Sequence, residues 1–166
     1  MKSRLLFYIL AAIFFCGISA SVAAAGCKIQ GTWMNFDENG IPGWVASSHG
    51  QSNSSGTSVL EYPAFTLGDP NVFNGTQMRG AWERTGGRTF DYTMMGYDYN
   101  ADGYPLYIVK MSGTLTVDED CDTSEVTATI NIFVCDYSPG CPDPYTDTPD
   151  DIIIYPTTYA KRVMVE

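Results

Sequence analysis

Basic residues and histidine are scarce in this sequence. Nine Lys and Arg stand against nineteen Asp and Glu among 166 residues, and His49 is the single histidine. Proteins that bind nucleic acids or anionic lipids need clusters of basic side chains to neutralise phosphate groups. The composition therefore predicts no nucleic-acid partner.

Recognisable catalytic motifs are also missing. His49 stands in a stretch rich in Ser, Gly and Asn, residues 46–58, which predicts a loop or flap, and no motif places a nucleophile beside it. Glu61, Glu83 and Asp91 fall on predicted strands, and two of them could perform acid–base chemistry only if both pointed inward. The sequence predicts no cofactor and favours a non-enzymatic role, with enzymatic activity left open.

Long apolar runs are absent except at the N-terminus. Lys2 and Arg4 precede an uninterrupted apolar stretch, residues 5–18, and small residues follow at 19–26. A basic end, an apolar centre and a small-residue cleavage region are typical of a secretory signal peptide, whereas a membrane anchor has a longer apolar core. We predict removal of residues 1–25, and a single secreted or periplasmic domain, residues 26–166, that is not an integral membrane protein.

Four cysteines remain after the predicted cleavage: Cys27, Cys121, Cys135 and Cys141. An even number in an exported chain predicts two disulfides, although four cysteines allow three pairings. Cys135 and Cys141 flank a Pro-Gly turn that a local disulfide would close, which leaves Cys27 to pair with Cys121. The alternative is lipid attachment to Cys27, because residues 24–27 loosely resemble a bacterial lipobox.

Apolar and polar residues alternate along most of the remaining chain, and turn residues recur at short intervals. This pattern is clearest at residues 90–94, 107–117 and 126–134, and it predicts β-strands with one buried face. Further strands are predicted at residues 29–36, 59–67, 77–84, 152–155 and 158–165. About eight sequential antiparallel strands favour an all-β, up-and-down barrel, with a β-sandwich as the alternative.

Two segments carry a resemblance to known proteins. Gly31-Thr32-Trp33, on the first predicted strand, resembles the Gly-x-Trp signature of calycins, the superfamily of lipocalins, fatty-acid-binding proteins and avidins. Residues 27–35 are similar to the start of avidins, although Trp44 and Trp82 do not match the tryptophans that surround biotin there. Residues 80–90 and the hairpin at 96–103 resemble small secreted lipocalin-like proteins with no assigned activity.

The calycin resemblance implies a lipocalin-like barrel that is closed at one end by the tryptophan of the signature. Gly31 and Trp33 would be structural, and Trp33 would pack beneath a basic residue of the last strand. Lys161 and Arg162 are the candidates for that partner, through a cation–π contact.

Aromatic residues and methionine are abundant, with eleven Tyr, three Trp and seven Met. Rings with a polar tip suit the walls of a ligand cavity. Gly80, Gly96 and Gly113 are interpreted as leaving space inside the barrel. We expect a small apolar or aromatic ligand in the barrel, and the alternatives are a filled-barrel interaction protein or a small secreted cyclase or isomerase. The predicted wall residues are Tyr92, Met94, Tyr107, Val109 and Met111.

Residues 98–103 match the first half of a calcium-binding loop. Asp98, Asn100 and Asp102 are weak candidate ligands, because such loops gather side-chain oxygens around a tight glycine turn. Val109 occupies the position at which an EF-hand supplies its bidentate Glu, so a plain hairpin turn is favoured and no metal is predicted. Asn53 and Asn74 begin glycosylation sequons, which matter only in a eukaryotic host.

Overall fold

The computed structural model describes residues 26–37, 39–50, 52, 54–61, 69–136 and 140–163. The predicted signal segment, residues 1–25, lies outside the described residues, as does Asn53 of the first sequon. In the described ranges the chain forms β-strands and no helix, so no helix is long and apolar enough to cross a membrane. The strands are β1 (Gly31–Phe36), β2 (Pro42–Gly50), β3 (Ser55–Glu61), β4 (Asn74–Gly75), β5 (Met78–Arg84), β6 (Thr89–Tyr99), β7 (Pro105–Val117), β8 (Thr123–Val134) and β9 (Asp151–Arg162).

Eight of these strands form a closed antiparallel barrel. Each strand pairs with the next in the order β1, β2, β3, β5, β6, β7, β8 and β9, and β9 pairs back with β1. The short β4 pairs only with the end of β6 and lies outside the ring. Closure satisfies the backbone groups that an open sheet would leave at its edges. The all-β barrel prediction is therefore confirmed, and the sandwich alternative is wrong.

The alternation of side chains explains how the long strands bury their inner face. On β6, Phe90, Tyr92 and Met94 are buried while the residues between them are exposed. The same period continues on β7 and β8, where Val109 and Ile130 belong to the same core cluster. One face of each strand therefore points into the barrel, as the alternating sequence predicted.

The prediction of a loop or flap at residues 46–58 is wrong. This stretch contains the end of β2 and the start of β3, and His49 lies exposed on β2 opposite Thr57. Small residues are required here by packing, because a Cβ atom at Gly56 would stand 2.7 Å from carbons of the Trp82 indole. The large ring of a neighbouring strand thus covers the glycine, a known way to stabilise glycine in a sheet.

The end of the chain also differs from the predicted strands. The two strands predicted at residues 152–155 and 158–165 are one strand, β9. Its pairing with β8 shifts register between Val126 and Ala128, which face Thr158 and Tyr155. The extra residue on β9 forms a β-bulge around Pro156, a position that tolerates proline because it lacks a regular ladder hydrogen bond. The strand predicted at 59–67 is described only as far as Glu61.

Both predicted disulfides are confirmed. Cys27 bonds to Cys121 across 94 residues, and Cys135 bonds to Cys141 across 6 residues. The first ties the N-terminal segment to the loop between β7 and β8. Stable disulfides form in oxidising compartments outside the cytoplasm, so the pair indicates such an environment for this protein.

Candidate functional site

The two ends of the barrel differ, and one of them is closed. The N-terminal segment, residues 27–30, crosses this end, which we call the floor. Arg162 donates hydrogen bonds to the carbonyl oxygens of Lys28, Gln30 and Cys121, and its guanidinium carbon lies 4.7 Å from the centre of the Trp33 ring. Trp33 is 1% exposed and donates from Nε1 to the Ile29 carbonyl at 2.7 Å. These contacts hold the segment across the floor.

The other residues singled out at this end have different neighbours. Lys161, the second candidate partner of Trp33, instead lies over Phe36 at 5.8 Å. Gly31 has a φ of 128°, a backbone conformation that residues other than glycine rarely adopt. This glycine lets the chain turn from the floor segment into β1.

A cavity of about 300 Å³ lies toward the opposite end, which we call the mouth. Its inner wall consists of apolar side chains from β3, β5, β6, β7 and β8. Its rim is formed by the end of β1, the start of β2 and the bulged part of β9. The lining residues are Asn35, Asp37, Ile41, Pro42, Gly43, Trp44, Leu60, Met78, Tyr92, Val109, Met111, Val126, Ala128, Ile130, Tyr155 and Thr158.

The incomplete pairing of β1 with β9 explains why the cavity opens at this place. The two strands pair only between Trp33–Phe36 and Tyr159–Arg162, so the first half of β9 pairs with β8 alone. Beyond Phe36 the chain turns back into β2, and within the described residues β9 continues without a partner on that side. The bulge at Pro156 brings Tyr155 and Thr158 to the same cavity, although side chains three residues apart in a regular strand face opposite ways. The opening therefore lies between the β1–β2 turn and β9.

Tyr92 presents only its ring to the cavity. Its hydroxyl donates a hydrogen bond of 2.8 Å to the Thr127 carbonyl, and burial raises the pKa of this phenol. The hydroxyl passes beside Gly113, where a Cβ atom would stand 2.9 Å from it. Because its polar end is already bonded to the wall, Tyr92 contributes an apolar surface to the cavity.

The polar groups of the cavity lie at its rim. Asn35 donates from Nδ2 to Thr158 Oγ1 at 2.7 Å and to the Tyr159 carbonyl at 3.1 Å. Its Oδ1 lies beside Gly43, where a Cβ atom would be 3.0 Å away. Asp37 accepts hydrogen bonds at Oδ1 from the backbone N–H groups of Asn39 and Ile41, which fixes the β1–β2 turn. The rim thus presents an amide oxygen and a carboxylate.

The structure brings three of the five predicted wall residues together at this cavity. Tyr92, Val109 and Met111 line it, whereas Met94 is buried in the core but is not part of the lining. Tyr107 lies nearer the mouth, half-buried, and donates its hydroxyl proton to Asp69 Oδ2 at 2.6 Å. That hydrogen bond, followed by burial and the negative charges of Asp69 and Asp98, raises the pKa of Tyr107.

The interpretation of Gly80, Gly96 and Gly113 as empty space is wrong. None of the three lines the cavity. A Cβ atom at Gly80 would stand 1.9 Å from the Thr93 carbonyl oxygen, and one at Gly113 would stand 1.9 Å from that of Thr127. These glycines allow close approach of neighbouring strands, and the cavity arises from the gap beside β9.

The candidate calcium ligands have separate structural roles and are not gathered around one point. Asn100 accepts hydrogen bonds at Oδ1 from the backbone N–H groups of Asp102 and Tyr104, so its carbonyl shapes the hairpin turn. Asp98 lies on β6, fully buried, and neither of its carboxylate oxygens has a hydrogen-bond partner in the described structure. Burial raises the pKa of Asp98 to about 6. Among the described residues, no group of three or more His, Cys, Asp or Glu is arranged to hold a metal ion.

Asp98 is an inward carboxylate that was not predicted from the sequence. Glu61, Glu83 and Asp91, the carboxylates considered for that role, are all exposed. The signal was the even spacing of Asp98 from Phe90, Tyr92 and Met94, which puts it on the same strand face. Its place in an Asp-x-Asn-x-Asp-Gly pattern directed attention to the turn instead.

Comparison with known proteins adds little. No family model and no curated protein matches the chain. A solved structure of a redesigned beta barrel is similar to it with a TM-score of 0.44 and 14% identity, over 87% of this chain and all of that one.

Proposed function

We propose that this protein is an exported calycin-like barrel that binds a small apolar or aromatic ligand in the cavity at its mouth. The observation that carries the proposal is the cavity itself. It penetrates the interior of a closed barrel and is lined by aliphatic, methionine and aromatic side chains with polar groups only at the rim. Small-molecule sites combine a concave apolar wall with a few fixed polar groups in this way.

The size and support of the cavity favour a small ligand. Its volume of about 300 Å³ is at the lower limit of typical ligand pockets, which span roughly 300–1,000 Å³. Much of its inner wall lies on the long strands β6, β7 and β8, which pair without a register shift from Thr89 to Asp98 and from Tyr107 to Val117. A preformed wall limits the ordering that binding would otherwise require.

Two further features support export. The disulfides indicate an oxidising compartment, and the N-terminal sequence is that of a signal peptide. The resemblance of residues 80–90 to small secreted lipocalin-like proteins agrees with both. Localisation to the periplasm or the extracellular medium is therefore part of the proposal.

Binding of a neutral fluorescent probe, N-phenyl-1-naphthylamine, tests the proposal. We expect its emission to rise on addition of the oxidised protein, and Ala128→Phe to weaken binding by about tenfold or more, because the new ring would occupy the cavity. Ile154→Phe is the matched control, since Ile154 is 79% exposed on the outer side of the same barrel wall. Binding that is unaffected by Ala128→Phe, or no binding by the wild-type protein, would contradict the proposal.

The filling substitution could destabilise the barrel, so the folded state must be measured too. Overpacking a core typically costs about 1–3 kcal/mol. Near-ultraviolet circular dichroism shows whether Ala128→Phe keeps its tertiary structure. Ala128→Leu provides a smaller filling with an intermediate expected loss of affinity.

A further inference from the structure

The charge on the cavity rim indicates the charge of the ligand as well as its apolar character. The lining residues of the described structure include the carboxylate of Asp37 and no Lys, Arg or His. Asp37 uses Oδ1 for the β1–β2 turn, and no hydrogen bond to its Oδ2 occurs within the described residues. Among the described residues, the rim therefore offers a negative charge whose Oδ2 has no hydrogen-bond partner, and it offers no cation to a bound acid.

The amide of Asn35 gives the same preference. Both hydrogens of its Nδ2 are directed to Thr158 and Tyr159, so the amide cannot donate to a ligand in this arrangement. Its Oδ1 remains as an acceptor beside Gly43. A ligand group at this position must itself be a donor, which an amine or alcohol satisfies and a carboxylate does not.

Carboxylates predominate around the mouth of the barrel. They lie on the loops and strand ends at this end, and acidic residues are also numerous at the floor, in the β7–β8 loop. A carboxylate-rich entrance with low-dielectric walls concentrates cations and repels anions. The mouth carboxylates include Asp37, Glu61, Asp69, Asp102, Asp143, Asp147, Asp150 and Asp151.

Aromatic rings at the opening complete the surroundings for a cation. Trp44 on β2 and Tyr155 on β9 line the cavity from opposite sides of the gap. Aromatic faces attract ammonium groups through the ring quadrupole, and the attraction is larger where water is partly excluded. Apolar walls inside and aromatic rings with acceptors outside form a site with two chemically distinct parts.

We infer that the ligand is a small apolar amine. Its aromatic or alkyl body fills the cavity, and its ammonium group lies at the rim against Asp37 and Asn35 Oδ1. The inference rests on the proposed function, which requires only an apolar ligand, and adds the charge class. It excludes fatty acids and other apolar carboxylates, which need a basic partner that this cavity lacks.

A matched ligand series tests the inference. 4-Phenylbutylamine, 4-phenylbutanol and 4-phenylbutyrate have similar apolar bodies and carry a cation, a neutral group and an anion at pH 7. We measure displacement of N-phenyl-1-naphthylamine by each at low and high salt. We expect the amine to bind about tenfold more tightly than the alcohol and the acid to bind most weakly, with differences that shrink as salt screens the charges.

The variant Asp37→Asn separates the charge from the shape of the site. Asn retains an Oδ1 that can accept the turn hydrogen bonds, so the β1–β2 turn is preserved. We expect the amine to lose its advantage over the alcohol while affinity for the alcohol stays unchanged. Asp91→Asn, an exposed carboxylate near the floor, is the control and should change neither affinity.

The possible results separate this inference from the proposed function. If the alcohol binds but the amine has no advantage, or if the acid binds best, the amine inference is wrong and the apolar site stands. If Asp37→Asn leaves the preference for the amine intact, the assignment of the ammonium group to this rim is wrong. If neither the probe nor any of the three compounds binds, the proposed function fails and the inference fails with it.

Discussion

Replacing Asp98 with Asn should stabilise the protein at neutral pH. Asp98 is fully buried on β6, and its carboxylate has no hydrogen-bond partner in the described residues. Removing a charged carboxylate from water without a partner is unfavourable, so burial raises its pKa from 3.8 to about 6. An amide has nearly the same shape and carries no charge.

The direction of the pH effect follows from this pKa. The folded protein holds the Asp98 proton more tightly than the unfolded chain does, so the free energy of unfolding falls as pH rises from about 4 to about 6. Above pH 6 the full free-energy cost of burying the charged Asp98 carboxylate is present, and below pH 4 this cost disappears. A pKa raised by roughly two units corresponds to about 3 kcal/mol, because one unit is about 1.4 kcal/mol. Asp98→Asn should therefore be about 3 kcal/mol more stable than the wild type at pH 7 and equally stable at pH 4.

Urea unfolding of the oxidised protein between pH 4 and pH 7, followed by circular dichroism, measures this difference. Taking the variant against the wild type at each pH cancels the titration of all other groups, including Asp69 and Asp118, whose pKa values are lowered mainly by hydrogen bonds to Tyr107 and Thr123. Asp91→Asn, exposed on the same strand, is the control and should change stability by less than about 0.5 kcal/mol. A variant that is no more stable than wild type at pH 7, or whose difference does not vary with pH, would refute the reasoning.

Three further predictions concern the disulfides, the floor and the wall of the barrel. Replacing Cys27 and Cys121 with Ser should lower the free energy of unfolding by about 5 kcal/mol, and replacing Cys135 and Cys141 with Ser by about 2 kcal/mol. The difference arises because the first disulfide closes a loop of 94 residues and the second a loop of 6. Equal losses in urea unfolding would count against this account. Arg162→Met should lower the free energy of unfolding by roughly 2–3 kcal/mol, because it removes three charged hydrogen bonds and the Trp33 contact. Lys161→Met should lower it by less than about 1 kcal/mol. The reverse order would show that Arg162 does not stabilise the floor. Gly113→Ala should lower the thermal midpoint more than Tyr92→Phe does. The Cβ added at Gly113 would collide with the Thr127 carbonyl, whereas Tyr92→Phe removes one hydrogen bond worth about 1 kcal/mol. An unchanged thermal midpoint for Gly113→Ala would contradict the close approach of β7 and β8.

The strands with strict alternation could be predicted from the sequence, and those built from small residues could not. Val109, Met111 and Leu115 share a face because side chains alternate along any strand, whatever surrounds it. The Ser- and Gly-rich residues 46–58 carry no comparable signal. Residues 46–50 and 55–58 form strands because Trp82 covers Gly56 and because the Ser48 and Ser58 hydroxyls are hydrogen-bonded at 3.0 Å inside the barrel.

The candidate site shows the same division. Three wall residues, Tyr92, Val109 and Met111, followed from alternation on β6 and β7. Asn35, Asp37 and Thr158 were not identified. Asn35 shares the inward face of β1 with Trp33, but a polar residue there gives no apolar signal. Asp37 and Thr158 reach the cavity only because the β1–β2 turn stands beside the gap and because β9 bulges at Pro156. Neither the gap nor the bulge leaves a pattern in the local sequence.

The sequence by itself determined the all-β class, the inward faces of the long strands and the two disulfide pairs. These properties depend on strand periodicity and on the number and spacing of the cysteines, which are local or countable. Only the tertiary structure decided where the barrel opens, which polar groups stand at the rim and that Asp98 is buried without a partner. Those features depend on which strands meet and where their pairing ends, and strand pairing joins residues as distant as Trp33 and Arg162.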